Sequence, residues 1–541
     1  MMLYIGLMLN HMNSFMSCIT ADCAKDVCSR NPCLNNGTCR ASSGSTYECM
    51  CPLGVVGVRC NTPVTIHLPA YTGNSYTVYK GLQGTSRSQT SLMITLMPRS
   101  PDGLLIYEGL SSDKRGDFIS ILLTDGHLVA VWDLGSGAAF LRSTNKLAMD
   151  TWHTVEFWHI GREGFLRLNS EPELQSAFSV GDLVQLTLGQ ELYLGGHPDV
   201  DHVAASLTTW VTNDGGFNLT GFQGCIQQLL LNGISVQLID QMLHSSNVDN
   251  CREHACSSPA SACSNRGQCV PKQSAFQCSC LLGYTGSFCQ EKIMLDKTSR
   301  ISFDGDGYLE FTDRSFLNMV NTPHFDIYMD VRVQMQAANP NDRVARNFSR
   351  DQILLGLMEE TNVEKRILLL TVTARDRLSL SWIRFHSQSG LLIDQLPKNR
   401  TTATTMTAMM TATIVAKRES PFGQEVQPGY WQKIMLKRRS NDYLLFLNGT
   451  HTETVNLEQG GIVHPTFTKL LIGGLNIQLP IFVDGFSESD DRQPLVTQLS
   501  PMDRKSVGFR GCIGHIHMNG RPTMAGDAQS GRNVNACEDG F

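Results

Sequence analysis

The chain has 541 residues, of which 41% are hydrophobic, and 44 Lys and Arg side chains face 50 Asp and Glu for a net charge of −6. This length predicts about three to five domains, and the composition argues against a disordered chain. The acidic total argues against nucleic-acid binding. The lack of any apolar run near the roughly 18 residues that span a bilayer argues against membrane insertion.

Charge is divided unevenly along the chain. Residues 1–291 carry 16 basic and 23 acidic side chains, a net −7, whereas residues 292–541 carry 28 and 27, a net +1. A basic face is therefore expected only in the second half, where a balanced total still allows positive charge to cluster.

Residues 1–23 allow three interpretations. Their apolar start lacks the basic residues of a signal peptide and is interrupted by Asn10, so they make a poor signal segment. Cys23 stands five residues before Cys28, as Cys251 stands five before Cys256, so the segment is instead expected to be the remnant of a preceding domain. The alternative is an ordinary N-terminus in which Cys18 and Cys23 pair with each other.

Two blocks of six cysteines repeat the spacing C-x(4–6)-C-x5-C-x(8–9)-C-x-C-x8-C, one in residues 24–61 and one in residues 252–290. Such short segments bury too little apolar surface to fold alone, and disulfides worth about 2–4 kcal/mol each would make up the difference. Zinc binding is the alternative, but no histidines converge on either block. Dense disulfides predict an oxidising, extracellular location.

Residues 64–251 and 292–541 predict antiparallel β-sandwiches. In the first segment, short strand-like runs such as Phe118–Leu123 and His127–Trp132 recur about every ten residues, with turn residues between them. The second segment repeats its landmarks: Trp152 matches Trp431, and the run 221–226 (GFQGCI) matches 508–513 (GFRGCI). A closing cysteine follows each run, at 251 and at 537.

These features resemble two known domain families. The cysteine blocks resemble the EGF-like domain, the longer segments resemble the laminin G domain, and the whole string resembles the C-terminal region of basement-membrane heparan sulfate proteoglycans. The resemblance implies a mainly β fold: two laminin G-like antiparallel β-sandwiches of the jelly-roll type alternating with two small, disulfide-rich EGF-like modules that act as rigid spacers. It implies the disulfides Cys28–Cys39, Cys33–Cys49, Cys51–Cys60, Cys256–Cys269, Cys263–Cys278, Cys280–Cys289, Cys225–Cys251 and Cys512–Cys537.

The resemblance also implies a function. We expect a secreted, non-enzymatic matrix protein that links receptors of the dystroglycan or integrin class, heparin or heparan sulfate and other matrix proteins to basement membrane, with no required cofactor. One alternative is the ectodomain of a membrane adhesion receptor of neurexin, crumbs or cadherin type. A glycosidase-like jelly roll is a formal second alternative, but the sequence shows no nucleophile elbow, phosphate-binding loop or helical His-x-x-x-His pair.

The laminin G resemblance places a calcium site at the side chains of Asp117 and Thr187 and the carbonyls of Leu134 and Gln185. Calcium-binding members carry Asp or Asn at the position of Thr187, so we expect weak calcium binding in the first sandwich. The alternative is that Asp117 only ends a strand. In the second sandwich Pro465 takes the position of Thr187, and Lys365 and Arg366 lie near that of Asp117, so no cation site is expected there.

Two kinds of sugar-related site are also predicted. The N-glycosylation sequons are Asn36, Asn218, Asn347, Asn399 and Asn448, and Thr38 fits the O-fucose pattern of EGF-like modules. An anionic glycan would need clustered cations, and the tightest run is Lys433, Lys437, Arg438 and Arg439, with Arg343, Arg346 and Arg350 on another segment. The alternative is that the run is a solvated strand edge that blocks edge-to-edge pairing.

Overall fold

The structure is a computed structural model. It describes residues 27–29, 31–41, 46–82, 85–113, 115–169, 174–211, 219–252, 255–256, 263–294, 300–334, 351–361, 364–373, 375–387, 410–419, 424–456, 465–475, 483–484 and 507–537. The chain divides into two compact units, Met1–Leu231 with Val236–Glu253, and Asn232–Ser235 with His254–Phe541. Cys18, Cys23, Asn218, Asn347, Asn399, Arg343, Arg346 and Arg350 lie outside the described residues.

The first small module is held together by sulfur. Its strands are β1 (Thr38–Ala41), β2 (Tyr47–Met50), β3 (Val55–Val56) and β4 (Thr62–Pro63). The β1–β2 hairpin places Cys39 opposite Cys49, and the buried cysteines pack with Tyr47 and Val55 to form the module's core. All eight predicted disulfides are present in the two units.

The first sandwich follows with the elements β5 (Pro69–Thr72), β6 (Tyr76–Tyr79), β7 (Thr85–Arg87), β8 (Gln89–Pro98), β9 (Gly103–Gly109), β10 (Phe118–Thr124), β11 (His127–Asp133), β12 (Ala138–Lys146), β13 (His153–Ile160), β14 (Glu163–Leu168), β15 (Gln175–Phe178), β16 (Leu186–Leu188), β17 (Leu192–Leu194), α1 (Val200–Val211), β18 (Gln223–Leu231), β19 (Ile234–Ser235), β20 (His244–Ser246) and β21 (Asp249–Asn250). One sheet has the order β12-β11-β10-β9-β17-β6-β20, and the other has the order β15-β14-β13-β8-β18-β5-β21. Buried Trp132 on β11 packs on Phe157 of β13 with ring centroids 5.3 Å apart, which joins the two sheets through the core.

The second unit contains β22 (Gly267–Lys272), β23 (Ala275–Cys280), β24 (Tyr284–Thr285), β25 (Glu291–Lys292), β26 (Arg300–Phe311), α2 (Arg314–Val320), β27 (His324–Val333), β28 (Gln352–Glu360), β29 (Glu364–Val372), β30 (Leu378–Ser387), β31 (Met410–Glu419), β32 (Gln432–Arg439), β33 (Asp442–Leu447), β34 (Thr450–Asn456), β35 (Lys469–Ile472), β36 (Val483–Asp484), β37 (Val507–Gly508), β38 (Arg510–Met518), β39 (Arg521–Thr523) and β40 (Ser530–Ala536), with a short 3-10 helix at Ala525–Asp527. Strand β26 runs through both layers. Its first half pairs with β38 and its second half with β35, so the strand order β34-β33-β32-β27-β38-β26-β35-β28-β29-β30-β31 is continuous.

Glycines explain the landmarks that the two sandwiches share. Gly195 and Gly473 have φ near +80°, and a Cβ on either residue would overlap the ring of Tyr71 or Phe303. The carbonyl of Gly195 accepts the amide of Phe222 at 2.9 Å, and that of Gly473 accepts the amide of Phe509 at 2.6 Å. Only glycine allows this close backbone approach, so the repeated Gly-Gly and Gly-Phe motifs mark the place where the strands of the two layers meet.

Candidate functional site

Asp117 lies immediately before β10, at one rim of the first sandwich, and only 8% of it is exposed. Its Oδ2 accepts the backbone amide of Thr187 at 2.7 Å, so the strand carrying Thr187 lies beside it. Burial raises the pKa of Asp117 and nearby Asp133 raises it further, while the Thr187 amide acts in the opposite direction. A carboxylate in this position would be stabilised by a neighbouring cation.

The turn after β11 brings further oxygen atoms to Asp117. Asp133 accepts the amides of Gly135 at 2.7 Å and Gly137 at 3.0 Å, which fixes the turn. A Cβ on Gly135 would stand 2.8 Å from Oδ1 of Asp117, so the Leu134–Gly135 peptide packs directly on the carboxylate. The structure thus brings Asp117, Leu134 and Thr187 together, and Gln185 lies one residue before β16.

These donors suit calcium only weakly. Calcium prefers several oxygen ligands with at least two carboxylates or amides among them. Asp117 supplies one carboxylate and Thr187 only a hydroxyl, while Asp133 is engaged with the turn amides. Among the described residues, no group of three or more His, Cys, Asp or Glu side chains is arranged to hold a metal ion. The predicted weak site stays a prediction.

Exposed apolar side chains border this rim. Leu110, Val180 and Leu183 are 38%, 56% and 52% exposed. A Cβ on Gly135 would stand 3.3 Å from Leu183, and one on Gly137 would stand 3.0 Å from Val180, so both side chains lie against the Asp133 turn. Clustered apolar exposure of this kind marks interaction surfaces. We name Asp117, Asp133, Leu110, Val180 and Leu183 the first rim.

The second sandwich reverses the charge at the equivalent place. Asp117 precedes Phe118, which pairs with Gly109; Arg366 precedes Ile367, which pairs with Met358 at the corresponding step of the ladder. Arg366 therefore occupies the position of Asp117, as the sequence predicted for Lys365 and Arg366.

At this equivalent place in the second sandwich, the carboxylates form ion pairs with lysine and arginine side chains of the protein itself. Arg366 pairs with Glu359 at 3.3 Å, and Glu359 also accepts the amide of Thr466, next to Pro465, at 3.0 Å. Lys469 lies 3.4 Å from Glu360, which also pairs with Lys365. Positive charge already fills this region, which supports the prediction that the second sandwich binds no metal ion.

The predicted glycan-binding run lies on β32, and the structure corrects it in two ways. Lys433 and Arg439 are exposed and Lys437 is partly exposed on one face, but Arg438 is only 2% exposed. Arg438 donates to the Ser440 carbonyl at 2.8 Å and stacks over Tyr443, so it cannot contact a glycan. Strand β32 is also paired on both sides, with β27 and β33, so the interpretation as a sheet edge is wrong.

Acidic residues flank the exposed part of this run. Lys433 stands opposite Asp330 and Lys437 opposite Asp326 across the β27–β32 ladder. Arg439 forms an ion pair with Asp326 at 2.9 Å. Sequence reasoning missed these carboxylates because they lie about 100 residues earlier, and only strand pairing places them beside the lysines.

Two N-glycosylation sequons and the O-fucose position fall on described, exposed residues. Asn448 stands at the β33–β34 turn with φ near 51°, and its side-chain oxygen accepts the Lys433 amide at 2.9 Å. Asn36 occupies the turn before β1, and Thr38 begins that strand. These positions are accessible, and their modification stays a prediction.

Each small module is fixed to the sandwich that follows it by the same device. In the first unit, the amide of Cys51 donates to Oδ1 of Asn247 at 2.8 Å, and the Asn247 amide donates back to the Cys51 carbonyl at 2.9 Å. In the second unit, the amide of Cys280 donates to Oδ1 of Asn533 at 2.7 Å. Both asparagines have φ near +50°, a conformation that asparagine tolerates better than most residues.

Comparison with known proteins agrees with this architecture. Two family models described as laminin G domain match residues 97–237 and 403–521, and one described as EGF-like domain matches residues 28–73 and 256–288. The chain contains laminin G and EGF-like domains. The predicted fold class is thereby confirmed.

Several curated proteins are similar to this chain. Rat pikachurin is 28% identical over 313 residues, which cover 57% of this chain and 30% of pikachurin. The mouse basement membrane-specific heparan sulfate proteoglycan core protein is 30% identical over 312 residues, covering 49% of this chain and 8% of that protein. Zebrafish eyes shut homolog is 31% identical over 334 residues, covering 50% and 11%. The predicted resemblance to basement-membrane proteoglycans is confirmed, and the chain spans less than a third of the length of each relative.

The chain shares its laminin G and EGF-like domains with these extracellular matrix proteins. Of the residues that the structure describes, no helix is long and apolar enough to cross a membrane.

Proposed function

We propose that this chain is a secreted basement-membrane protein whose laminin G domains bind cell-surface receptors and anionic glycans, while its EGF-like modules hold those domains in place. The observation that carries this proposal is the repeated unit. Asn247 and Asn533 join module to sandwich through the same hydrogen bond in a chain homologous to a basement-membrane proteoglycan core protein. A module fixed in this way acts as a spacer that presents its sandwich to a partner.

The first rim is the surface that we assign to partner binding. It combines the buried carboxylate of Asp117 with the exposed apolar side chains of Leu110, Val180 and Leu183. A weakly bound calcium ion, held by the Asp117 and Thr187 side chains and the carbonyls of Leu134 and Gln185, would give this acidic rim the positive charge that attracts an anionic glycan. The chain's own part is to orient Asp117 through the Thr187 amide and to fix the neighbouring turn through Asp133.

The predicted glycan-binding run on β32 of the second sandwich would form a second, weaker contact with a glycan. Lys433 and Lys437 remain available on the outer face, but Asp326 and Asp330 flank them. Attraction to a sulfated chain is therefore partly cancelled and is further screened over about 8 Å at physiological salt. We expect heparin to bind this unit only at low ionic strength.

Binding of the full chain to receptor ectodomains of the dystroglycan and integrin classes tests the proposal. Biolayer interferometry would use each receptor with its glycans intact and after enzymatic removal, in calcium and in a chelator. We expect binding to the glycan-bearing receptor that falls at least tenfold after glycan removal and in Asp117→Asn. The matched control is Arg366→Gln at the equivalent rim of the second sandwich, which should leave this binding unchanged. No binding to either receptor class at micromolar concentration would contradict the proposal.

A further inference from the structure

The two sandwiches close with equivalent disulfides that lie in different surroundings. In the first, Cys225 and Cys251 are 0% and 1% exposed and pack in an apolar cluster with Leu68, Ala70 and Met97. In the second, Cys512 is buried but Cys537 is partly exposed. The same covalent link is thus shielded in one domain and accessible in the other.

A guanidinium group contacts both sulfur atoms of the second disulfide. One terminal nitrogen of Arg332 lies 3.4 Å from the sulfur of Cys537 and 3.6 Å from that of Cys512. Arg332 stands opposite Cys512 across the β27–β38 ladder, and Met97 stands opposite Cys225 across the β8–β18 ladder. The two domains therefore differ at one matched position, with a cation in the second and a neutral thioether in the first.

The position of Arg332 is fixed by its neighbours. Its guanidinium lies 5.1 Å from the centre of the Trp431 ring, and that of Arg300 lies 4.8 Å from the same ring. Arg332 is only 9% exposed, so its charge acts on the sulfur atoms through little intervening water. An adjacent arginine lowers the pKa of a thiol, and a thiol of lower pKa leaves faster when a disulfide is attacked.

We propose that Cys512–Cys537 is a site of thiol–disulfide exchange that takes a dithiol reductant. The thiolate of the dithiol attacks the accessible sulfur of Cys537, forms a mixed disulfide and breaks the bond to Cys512, which leaves as a thiolate beside Arg332. The second thiolate of the dithiol then attacks the dithiol's first sulfur atom, which is bonded to Cys537 in the mixed disulfide, and releases Cys537 as a thiolate. The dithiol is oxidised by two electrons to a disulfide, and the cysteine pair is reduced by two electrons and takes up protons from solvent.

Reduction would act on the joint between the second EGF-like module and its sandwich. Strand β40, which ends immediately before Cys537, carries Asn533, the acceptor for the module's Cys280 amide, and Arg532, which donates to Gln268 at 2.9 Å. The disulfide ties the end of this strand to β38. Opening it removes this covalent tie, so that the end of the strand on which the module rests is then held by its backbone pairing with β26.

Timed reduction of the full chain tests this site against its matched counterpart. The chain is incubated with dithiothreitol, samples are alkylated at intervals, and peptides containing Cys512, Cys537, Cys225 and Cys251 are quantified by mass spectrometry. We expect Cys512–Cys537 to be reduced at least tenfold faster than Cys225–Cys251. Equal rates for the two pairs would overturn the proposal.

The variant Arg332→Met separates the effect of the Arg332 charge on the reduction rate from the effect of the solvent exposure of Cys537. It recreates the residue that the first sandwich tolerates at this position, so the domain should still fold, as circular dichroism would verify. Removing the cation should slow reduction of Cys512–Cys537 by about three- to tenfold, because the leaving thiol loses its stabilising partner. An unchanged rate in a folded Arg332→Met variant would overturn the role of the guanidinium.

Discussion

Asn247 offers the sharpest test of how the first EGF-like module is held on its sandwich. In Asn247→Ala the Cys51 amide loses its side-chain acceptor at 2.8 Å, while the backbone bond from residue 247 to the Cys51 carbonyl can persist. The substitution also places alanine at φ near 53°, where a Cβ without a compensating polar group is unfavourable.

These two effects determine how much docking free energy the Asn247→Ala variant should lose. A partly buried amide left without its acceptor costs about 1–3 kcal/mol. Alanine in the left-handed region costs about 1–2 kcal/mol, of which asparagine avoids part. At the lower end of these ranges the total is near 2 kcal/mol, and it falls on the docked state of the module and not on the core of the sandwich. Since about 1.4 kcal/mol corresponds to a factor of ten, undocking should become about 30-fold more frequent.

Hydrogen exchange followed by mass spectrometry measures directly how often the first EGF-like module undocks. The peptide that contains Cys51 should exchange about 30-fold faster in Asn247→Ala, whereas peptides from β10 and β11 should not change. Asn247→Gly is the matched control, because it removes the acceptor but accepts the positive φ, and it should give a smaller increase. If exchange at Cys51 is unchanged in both variants, the asparagine does not hold the module and the reasoning fails.

Three further predictions concern calcium, heparin and pH. Calorimetry should show calcium affinity no stronger than millimolar, removed by Asp117→Asn; micromolar affinity would show that the ligand assignment is wrong. The double variant Asp326→Asn with Asp330→Asn should elute from heparin at higher salt than the natural chain because it removes the negative charges beside Lys433 and Lys437, and unchanged elution would exclude this face. Burial lowers the pKa of His159 to about 4 from its ordinary 6.5, so the unfolded chain binds the proton first as pH falls. Stability of the first sandwich should therefore drop by up to about 3 kcal/mol between pH 6.5 and 4, and urea unfolding of His159→Gln should lose most of that dependence.

The sequence predicted the fold well where local chemistry decides it. Cysteine spacing led to a family resemblance that implied the eight disulfides seen among the described residues, and the alternating run Phe118–Leu123 became strand β10. The repeated glycines Gly195 and Gly473, which matched between the two segments in the sequence, occupy equivalent positions in the two sandwiches, because a close backbone contact there excludes any side chain.

Sequence reasoning failed for features that depend on contacts between segments far apart in the chain. Helix α1 was not predicted, and it is held by Val203 and Leu207 packing on Leu104 and Leu122 of a sheet formed nearly 100 residues earlier. Arg438 was predicted to belong to an exposed basic run, but strand alternation turns it inward, over Tyr443.

The candidate site was predicted only in part for the same reason. Asp117 and Thr187 lie beside each other, since the Asp117 carboxylate accepts the Thr187 amide, and their role as calcium ligands stays a prediction. Asp133 was missed, although the pattern Asp133-x-Gly135-x-Gly137 is a signal for a carboxylate that caps a turn. Its effect on Asp117 appears only once β10 and β11 are paired.

A bridging assay tests the central claim most directly. Basement-membrane extract is immobilised, the full chain is added, and beads carrying a glycan-bearing receptor ectodomain of the dystroglycan class are counted after washing. We predict bead retention that depends on the added chain and falls when the receptor's glycans are removed. Retention no greater than without the chain would contradict the proposal that this protein links receptors to basement membrane.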